Sequence, residues 1–169
     1  MAVSDLVPWF SSEELDKLSE DEQKEAFYQV FKEDFVDKEL IISGKKVRII
    51  KELSKMPGFK SYPETFAHVI TRELKSQRDR FFEINRANRI NWIRPILESH
   101  PCADIKYFKH KDERGVCREY YWLIFKCFMV VLKDVAKDVQ IVTAFCVDEE
   151  EKLTYFGWFK EYTGGKSGC

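Results

Sequence analysis

The chain has 169 residues, of which 44% are apolar and 15% aromatic, and this composition excludes a disordered protein because it can bury a sizeable core. No apolar run approaches the roughly 20 residues that span a bilayer, and the N-terminus lacks the basic start and apolar core of a secretory signal. We therefore expect one soluble, cytoplasmic domain with an N-terminal extension and no membrane partner.

The charges are unevenly distributed, although the whole chain has a net charge of −1. Residues 1–40 hold 4 basic and 12 acidic side chains, a net of −8, whereas residues 41–140 hold 21 basic and 12 acidic ones, a net of +9. A basic middle indicates a body that binds polyanions. The acidic segment either lies over that body, faces a partner, or is a solvated helix.

The cysteines are odd in number and form no CxxC pair. We interpret them as buried thiols of a reducing compartment: Cys102, Cys117, Cys127, Cys146 and Cys169. Cys102 lies near His100 and His110, but their spacing matches no zinc pattern. The sequence therefore predicts no metal and no cofactor.

The first predicted elements are an amphipathic helix and a hairpin. A serine at 11 or 12 caps the helix, its first turn is acidic, and apolar residues recur at helical spacing in its second half. We expect a break near Ser19 and an end by Asp37. Two short apolar runs around Ser43–Gly44 predict the hairpin.

The middle of the chain predicts a helix from Pro63 to about Arg80. Its apolar side would hold Phe66, Val69, Ile70 and Leu74, and its polar side His68, Thr71, Arg72 and Lys75. Glu73 falls within the apolar arc, so its carboxylate needs a partner or a raised pKa. Arg94 precedes Pro95, which disfavours a helical Arg94. Residues 86–92 are therefore predicted to be an irregular segment or a short turn, and a short helix begins at Pro95.

The remainder is predicted to be a four-strand meander followed by a helix. Strands are expected within residues 104–110, 116–125, 127–135 and 138–147, and a helix within residues 148–162. Helices grouped before an antiparallel sheet give an α+β fold. We divide the chain into an acidic helical arm (1–40), an α+β domain (41–162) and a flexible tail (163–169).

Residues 68–92 combine the side chains that cleavage of RNA without a metal requires. Histidine suits the proton steps, arginine pairs two phosphate oxygens at once, and aromatic rings suit splayed bases. The candidates of these three types are His68, Arg72, Arg86, Arg89 and Trp92.

Each candidate has a plainer interpretation. His68 is either a site residue or a solvated histidine, and Glu73 either a base or a structural partner of an arginine. Trp92 is either a stacking platform or core, and Tyr120 lies on either core or the floor of a groove. Thr143 bonds either a backbone carbonyl or a phosphate, and it interrupts a predicted apolar strand face of Val139, Ile141, Phe145 and Val147.

Three segments, "PETFAHVITRE", "RANRINWIRPILE" and "VVLKDV…IVTAFCVD", make residues 60–162 resemble phage-associated nucleases of the Barnase–EndoU–Colicin–RelE group. The resemblance implies helices packed on a four-stranded antiparallel sheet and a metal-independent RNA-cleaving site. It places that site at His68, Arg72 and Glu73, at Arg89 and Trp92 in the next segment, and at Thr143.

Our leading hypothesis is a metal-independent endoribonuclease of toxin or phage-conflict type. His68 would be general acid or base, Glu73 its counterpart, and Arg72 and Arg89 the phosphate clamp. Thr71, Arg86, Trp92 and Tyr120 would contact the RNA. The partners would be RNA and an antitoxin or immunity protein. The alternative is a non-catalytic module of a phage or mobile element that binds RNA or a protein.

Overall fold

A computed structural model describes residues 2–74 and 79–169. The helices in these ranges are α1 (Ser12–Asp16), α2 (Glu20–Phe35), α3 (Glu64–Val69), α4 (Ile84–Ala87), α5 (Ile93–Ser99) and α6 (Glu149–Thr163). The strands are β1 (Ile41–Ile42), β2 (Lys45–Arg48), β3 (Thr71–Glu73), β4 (Arg80–Phe82), β5 (Ile105–Lys111), β6 (Cys117–Leu123), β7 (Phe128–Val135) and β8 (Asp138–Cys146). Short 3-10 turns cover Val3–Asp5, Ile90–Trp92 and Ile124–Lys126.

The N-terminal helices begin at serine caps. Ser11 and Ser19 each accept a hydrogen bond from the backbone N–H three residues on, and the carboxylates of Glu14 and Glu22 accept one from the backbone N–H of the cap. These are two capping boxes in succession. The predicted break near Ser19 is confirmed, because the second box starts α2 there.

The main sheet has six strands in the order β1-β2-β8-β7-β6-β5. The meander from β5 to β8 is antiparallel throughout, which confirms the α+β class. The predicted four-stranded sheet is too small, however, because β2 pairs in parallel with β8 through Val47 opposite Val139 and so adds the hairpin to the sheet. Sequence patterns set the strands but not this pairing between distant segments.

The sheet carries a hydrophobic core on each face. On one face α2, α3 and α5 contribute Phe27, Phe31, Phe66 and Ile96, all fully buried. On the other face α6 covers Phe108 and Trp122. Because α2 supplies this core, residues 20–35 belong to the body of the domain, and the boundary drawn at residue 40 does not separate two cores.

The long helix predicted from Pro63 to Arg80 is wrong. Helix α3 ends at Val69, and Thr71–Glu73 and Arg80–Phe82 form an antiparallel hairpin instead. The β-branched run from Val69 to Thr71 disfavours a helix, and the Thr71 hydroxyl bonds back to the Ala67 carbonyl. Lys75, placed on the helix by its pattern, lies outside the described residues.

The segment before Pro95 is more helical than predicted. Residues 84–92 form α4 and a 3-10 turn, and Arg94 lies inside α5. Pro95 occupies the first turn of α5, where a missing N–H leaves no hydrogen bond unmade. Arg94 donates to the carbonyl oxygens of Asp34 (2.6 Å) and Glu39 (3.2 Å) and so ties α2 to α5.

The prediction that all five cysteines are free thiols is wrong for two of them. Cys117 on β6 and Cys169 are joined by a disulfide with a Cα–Cα distance of 5.9 Å, so the segment predicted to be a loose tail is held to β6. Cys102, Cys127 and Cys146 are free. The spacing of the cysteines gives no sign of this pair, because a connectivity cannot be deduced from sequence alone.

Within residues 2–74 and 79–169, none of the helices has the length and apolar character needed to cross a membrane.

Candidate functional site

An open cavity of about 840 Å³ lies between the β3–β4 hairpin, the start of α4, the end of β8 and the first turns of α6. Its lining comes from α3 and the hairpin, from the segment 83–86, and from β8 and α6. The lining residues are His68, Arg72, Glu73, Leu74, Arg80, Phe81, Glu83, Asn85, Arg86, Thr143, Phe145, Cys146, Asp148, Glu150, Glu151 and Tyr155. Five residues that the sequence predicted as site residues lie in this one set: His68, Arg72, Glu73, Arg86 and Thr143.

His68 lies one residue before the end of α3 and is half-buried. Burial lowers its pKa to about 4, and the charges of Arg80 and Arg86 act in the same direction. At neutral pH the ring is therefore uncharged and has a free nitrogen lone pair. The neutral ring of His68 can therefore accept a proton, although a pKa of about 4 makes it a weak base.

Two arginines fix the end of α3 and the start of β3. Arg80 donates to the Thr71 hydroxyl (2.9 Å), to the Thr71 carbonyl (2.9 Å) and to the His68 carbonyl (3.2 Å). Arg86 also donates to the Thr71 carbonyl. The bond to His68 satisfies a carbonyl that the short helix leaves open, and the others satisfy the first residue of β3. They also hold the backbone that carries His68 in place.

Arg86 is the most enclosed cation of the cavity. Burial lowers its pKa to about 10, with Arg80 adding to the effect, so it remains charged at neutral pH. Its guanidinium carbon lies 5.8 Å from the centre of the Phe145 ring. A fixed positive charge with little water around it acts strongly on an anion in the cavity.

Arg72 and Glu73 both lie at the solvent-exposed wall of the cavity, and for Glu73 this differs from the predicted position in an apolar arc. Arg72 forms an ion pair with Asp148 at 3.4 Å, and both side chains are about half exposed. Glu73 lies on an exposed strand, not in an apolar arc, and its carboxylate is 4.0 Å from Arg80. Its predicted arginine partner is therefore present, but at the cavity wall and in contact with solvent.

Thr143 reaches the cavity because of a β-bulge. Val131 pairs with Thr143 while Leu132 pairs with Ile141, so β8 has one extra residue at this point. Val139 and Ile141 belong to the core beneath α2, whereas Phe145 and Val147 pack towards α6. The predicted single face through Val139 and Val147 is therefore wrong. The bulge moves Thr143 to the α6 side.

The remaining predicted site residues lie outside the cavity lining. Trp92 is 3% exposed, donates from Nε1 to the Val7 carbonyl (2.8 Å) and is core. Tyr120 is 8% exposed and stacks on Phe108 beneath α6. The Thr71 side chain is buried, and its hydroxyl donates to the Ala67 carbonyl and accepts from Arg80. Arg89 lies over the Trp92 ring and donates to the Asn85 carbonyl.

The sequence missed the residues that the hairpin and α6 bring in. Arg80 and Phe81 belong to strand β4. The sequence signal for this strand is the short run "RFF" after a charged segment, but a helix was predicted to extend to about Arg80. Asp148, Glu151 and Tyr155 are placed by the N-terminus of α6. Burial raises the pKa of Tyr155, and Glu151 adds to this. Its phenol therefore holds its proton at neutral pH.

The charges of the lining differ from the basic clamp that the sequence predicted. Three arginines (72, 80 and 86) face five carboxylates (73, 83, 148, 150 and 151). Because His68 is neutral, the lining is acidic overall at neutral pH. Such a cavity can hold one phosphate group beside its arginines, but it does not attract a polyanion along its whole length.

No set of three or more histidine, cysteine, aspartate or glutamate side chains within residues 2–74 and 79–169 is placed to hold a metal ion. His100 packs against Tyr107 and Tyr121, whereas His110 stacks on Trp158 of α6. The two histidines thus lie in different aromatic surroundings.

Comparisons of the chain with protein-family models, with curated proteins and with solved structures give no match.

Proposed function

We propose that the protein is an endoribonuclease that cleaves RNA at this cavity by attack of a 2′-hydroxyl, without need of a metal. The observation that carries the proposal is the meeting of His68, Arg72, Glu73, Arg86 and Thr143 in one lining. They come from three separate parts of the chain. Their types are a proton acceptor, phosphate-binding cations and polar groups, which this reaction requires.

His68 is the proposed base. Its neutral ring takes the proton of the 2′-hydroxyl, the 2′-oxygen bonds to phosphorus, and the bond from phosphorus to the 5′-oxygen breaks. The products are a 2′,3′-cyclic phosphate and a free 5′-hydroxyl, so no water or co-reactant enters this step. The departing 5′-oxygen needs a proton. Tyr155, whose phenol holds a proton at neutral pH, is the proposed donor in the cavity. Glu73, which the sequence predicted as the counterpart of His68, lies at the cavity wall beside Arg80.

The phosphate would lie between Arg72 and Thr143. The guanidinium of Arg72 is about half exposed and its partner Asp148 equally so, so a phosphate can replace that carboxylate at little cost. Thr143 offers a hydroxyl from the bulged strand. Arg86 is held by the Thr71 carbonyl and contributes its charge from behind, as negative charge builds on the phosphate oxygens.

The charge balance of the lining supports cleavage over simple RNA binding. A non-catalytic module gains its affinity from rows of cations along the backbone. This cavity has more carboxylates than arginines, and this composition suits proton transfer at a single phosphate. The toxin or phage context, an antitoxin or immunity partner and the cytoplasmic location stay predictions from the sequence.

The experiment is cleavage of an end-labelled single-stranded oligoribonucleotide by purified protein in EDTA, with detection of 2′,3′-cyclic phosphate ends. We expect His68→Ala to lower kcat by roughly 100-fold or more and Arg72→Ala to lower kcat/KM. The matched control for Arg72 is Arg114→Ala, since Arg114 is an exposed arginine in the β5–β6 turn. Arg89→Ala, outside the lining, is expected to keep activity.

Three results would contradict the proposal. The first is no cleavage by the wild-type protein, the second is cleavage that EDTA abolishes, and the third is equal cleavage by the His68→Ala variant. Glu73→Gln and Tyr155→Phe then identify the proton donor, because only loss of the true donor changes the alkaline limb of the pH profile of kcat.

A further inference from the structure

The β3–β4 hairpin presents one face to the cavity that none of the proton-transfer steps uses. Side chains alternate between the two faces of a strand, and Arg72 and Leu74 lie on the same face of this segment. Phe81 is the residue opposite Arg72 in the antiparallel register. The three side chains Arg72, Leu74 and Phe81, which we name the hairpin face, all line the cavity.

Two of the three side chains of the hairpin face are apolar and yet exposed to the cavity. Leu74 is 44% exposed and Phe81 is 40% exposed. The neighbouring aromatic Phe82 points the other way, with its ring 6.4 Å from Phe27 of the core. Phe82 therefore anchors the hairpin to the core, whereas the adjacent ring of Phe81 is exposed at the rim of the cavity.

The pairing of Phe81 with Arg72 suits a nucleotide. Directly opposed residues of an antiparallel pair have Cβ atoms about 5 Å apart, so the side chains of Arg72 and Phe81 start from neighbouring positions on one face of the hairpin. In a single strand, a phosphate and the base of the same nucleotide are neighbours at a similar spacing. An aromatic face accepts any base by stacking, and an arginine pairs with phosphate oxygens.

We propose that the hairpin face is a nucleobase subsite, in which Phe81 stacks on an unpaired base of the nucleotide whose phosphate Arg72 holds. This inference rests on the proposed function for the identity of the reacting phosphate. It replaces Trp92 and Tyr120, which are core, as the aromatic contact. It also defines the substrate class as single-stranded RNA, because a base within a duplex has no free face for the ring.

The variants are Phe81→Ala, Phe81→Trp and the control Phe125→Ala. Phe125 is 84% exposed in the 3-10 turn after β6 and lies outside the cavity lining. Because Phe81 is already exposed, its removal exposes little new apolar surface, and a thermal melt of each variant verifies folding. Phe81→Trp keeps a stacking ring, so we expect it to retain the binding that Phe81→Ala loses.

The binding probe is a single-stranded 2′-deoxy oligonucleotide carrying 2-aminopurine, which lacks the attacking hydroxyl and cannot be cleaved by the proposed route. We expect Phe81→Ala to raise Kd by roughly 10- to 100-fold and to abolish the fluorescence change of the stacked base. Phe125→Ala should bind as the wild type. The ratio of Kd values between Phe81→Ala and wild type should be the same at low and high salt, because stacking releases no counterions.

The cleavage assay separates this inference from the proposed function. Wild-type binding that depends on Phe81 without any cleavage supports the subsite and overturns the nuclease. Cleavage and binding that are both unchanged in Phe81→Ala overturn the subsite and leave the nuclease standing. Absence of wild-type binding to the probe, or equal affinity for a duplex of the same sequence, also overturns the subsite.

Discussion

Protonation of His68 should destabilise the folded protein in mild acid. Its pKa is about 4 in the folded protein and 6.5 ordinarily, so between these values the unfolded chain binds more protons than the folded one. The stability that the neutral His68 ring contributes is fully present above pH 6.5 and is lost as the pH falls towards 4. With a shift of this size we expect the free energy of unfolding to fall by about 2 kcal/mol between pH 7 and pH 5.

A second group titrates in the same range with the opposite sign. Burial raises the pKa of Asp34 from 3.8 to about 6, so its contribution is complete below pH 3.8 and is lost as the pH rises through 6. Between pH 7 and pH 5 it adds about 1 kcal/mol of stability. The wild-type curve alone therefore hides much of the His68 effect.

The assay that isolates His68 is urea unfolding at several pH values between 4.5 and 7.5 for the wild type and for His68→Asn. Subtracting the free energy of unfolding of one protein from that of the other cancels the contributions of Asp34 and of every other titrating group that the two proteins share. We expect that difference to change by about 2 kcal/mol in favour of the variant as the pH falls from 7 to 5. A difference that stays constant across this range would refute the assignment of a neutral, desolvated histidine.

Three further predictions concern other parts of the molecule. The Cys169→Ser variant, which lacks the disulfide, should have a free energy of unfolding lower by about 4 kcal/mol. This value follows from the loop-closure entropy of a crosslink with a sequence separation of 52 residues. Wild type and variant should unfold alike in reductant. Asp34→Asn should raise stability by about 2 kcal/mol at pH 8 and leave it unchanged at pH 4, as followed by urea unfolding. Asp148→Asn frees Arg72 from its ion pair and should lower KM for RNA by about two- to fivefold; an unchanged KM would mean that Arg72 does not hold the phosphate.

Local signals in the sequence were enough for most of the elements. Serine caps with a glutamate three residues on start α1 and α2, and runs of alternating or continuous apolar residues give β5 to β8. These features depend on neighbours within a few residues, so a single sequence contains them. The same holds for the Ser43–Gly44 turn, where both residues have positive φ angles.

The hairpin β3–β4 could not be found in this way because its helical pattern was genuine. Phe66, Val69, Ile70 and Leu74 do recur at helical spacing, but the first three are buried and Leu74 is exposed at the cavity. Arg80, which satisfies the His68 carbonyl of α3, and Arg86, which bonds Thr71 at the start of β3, lie 12 and 15 residues further along the chain than their partners. Tertiary hydrogen bonds of this kind leave no periodic trace in the sequence.

The candidate site was predicted by residue type and corrected by topology. His68, Arg72, Glu73, Arg86 and Thr143 do share a cavity, although the face that was expected to carry Thr143 is split by a bulge. Trp92 was assigned by its proximity in sequence to arginines, and burial against Phe128 overrides that proximity. Asp148 and Tyr155 could not be predicted as cavity residues, because they line the cavity only through the packing of α6 on the sheet.

Because β2 pairs in parallel with β8, the main sheet can be completed only late in the synthesis of the chain. Val47 leaves the ribosome long before Val139, its partner in the sheet. Until then β1 and β2 form an isolated two-stranded hairpin, which is marginally stable in water. Pairing of such distant segments slows folding and leaves strand edges exposed in the meantime. Residues 41–48 therefore gain their place in the main sheet only after β8 has been synthesised.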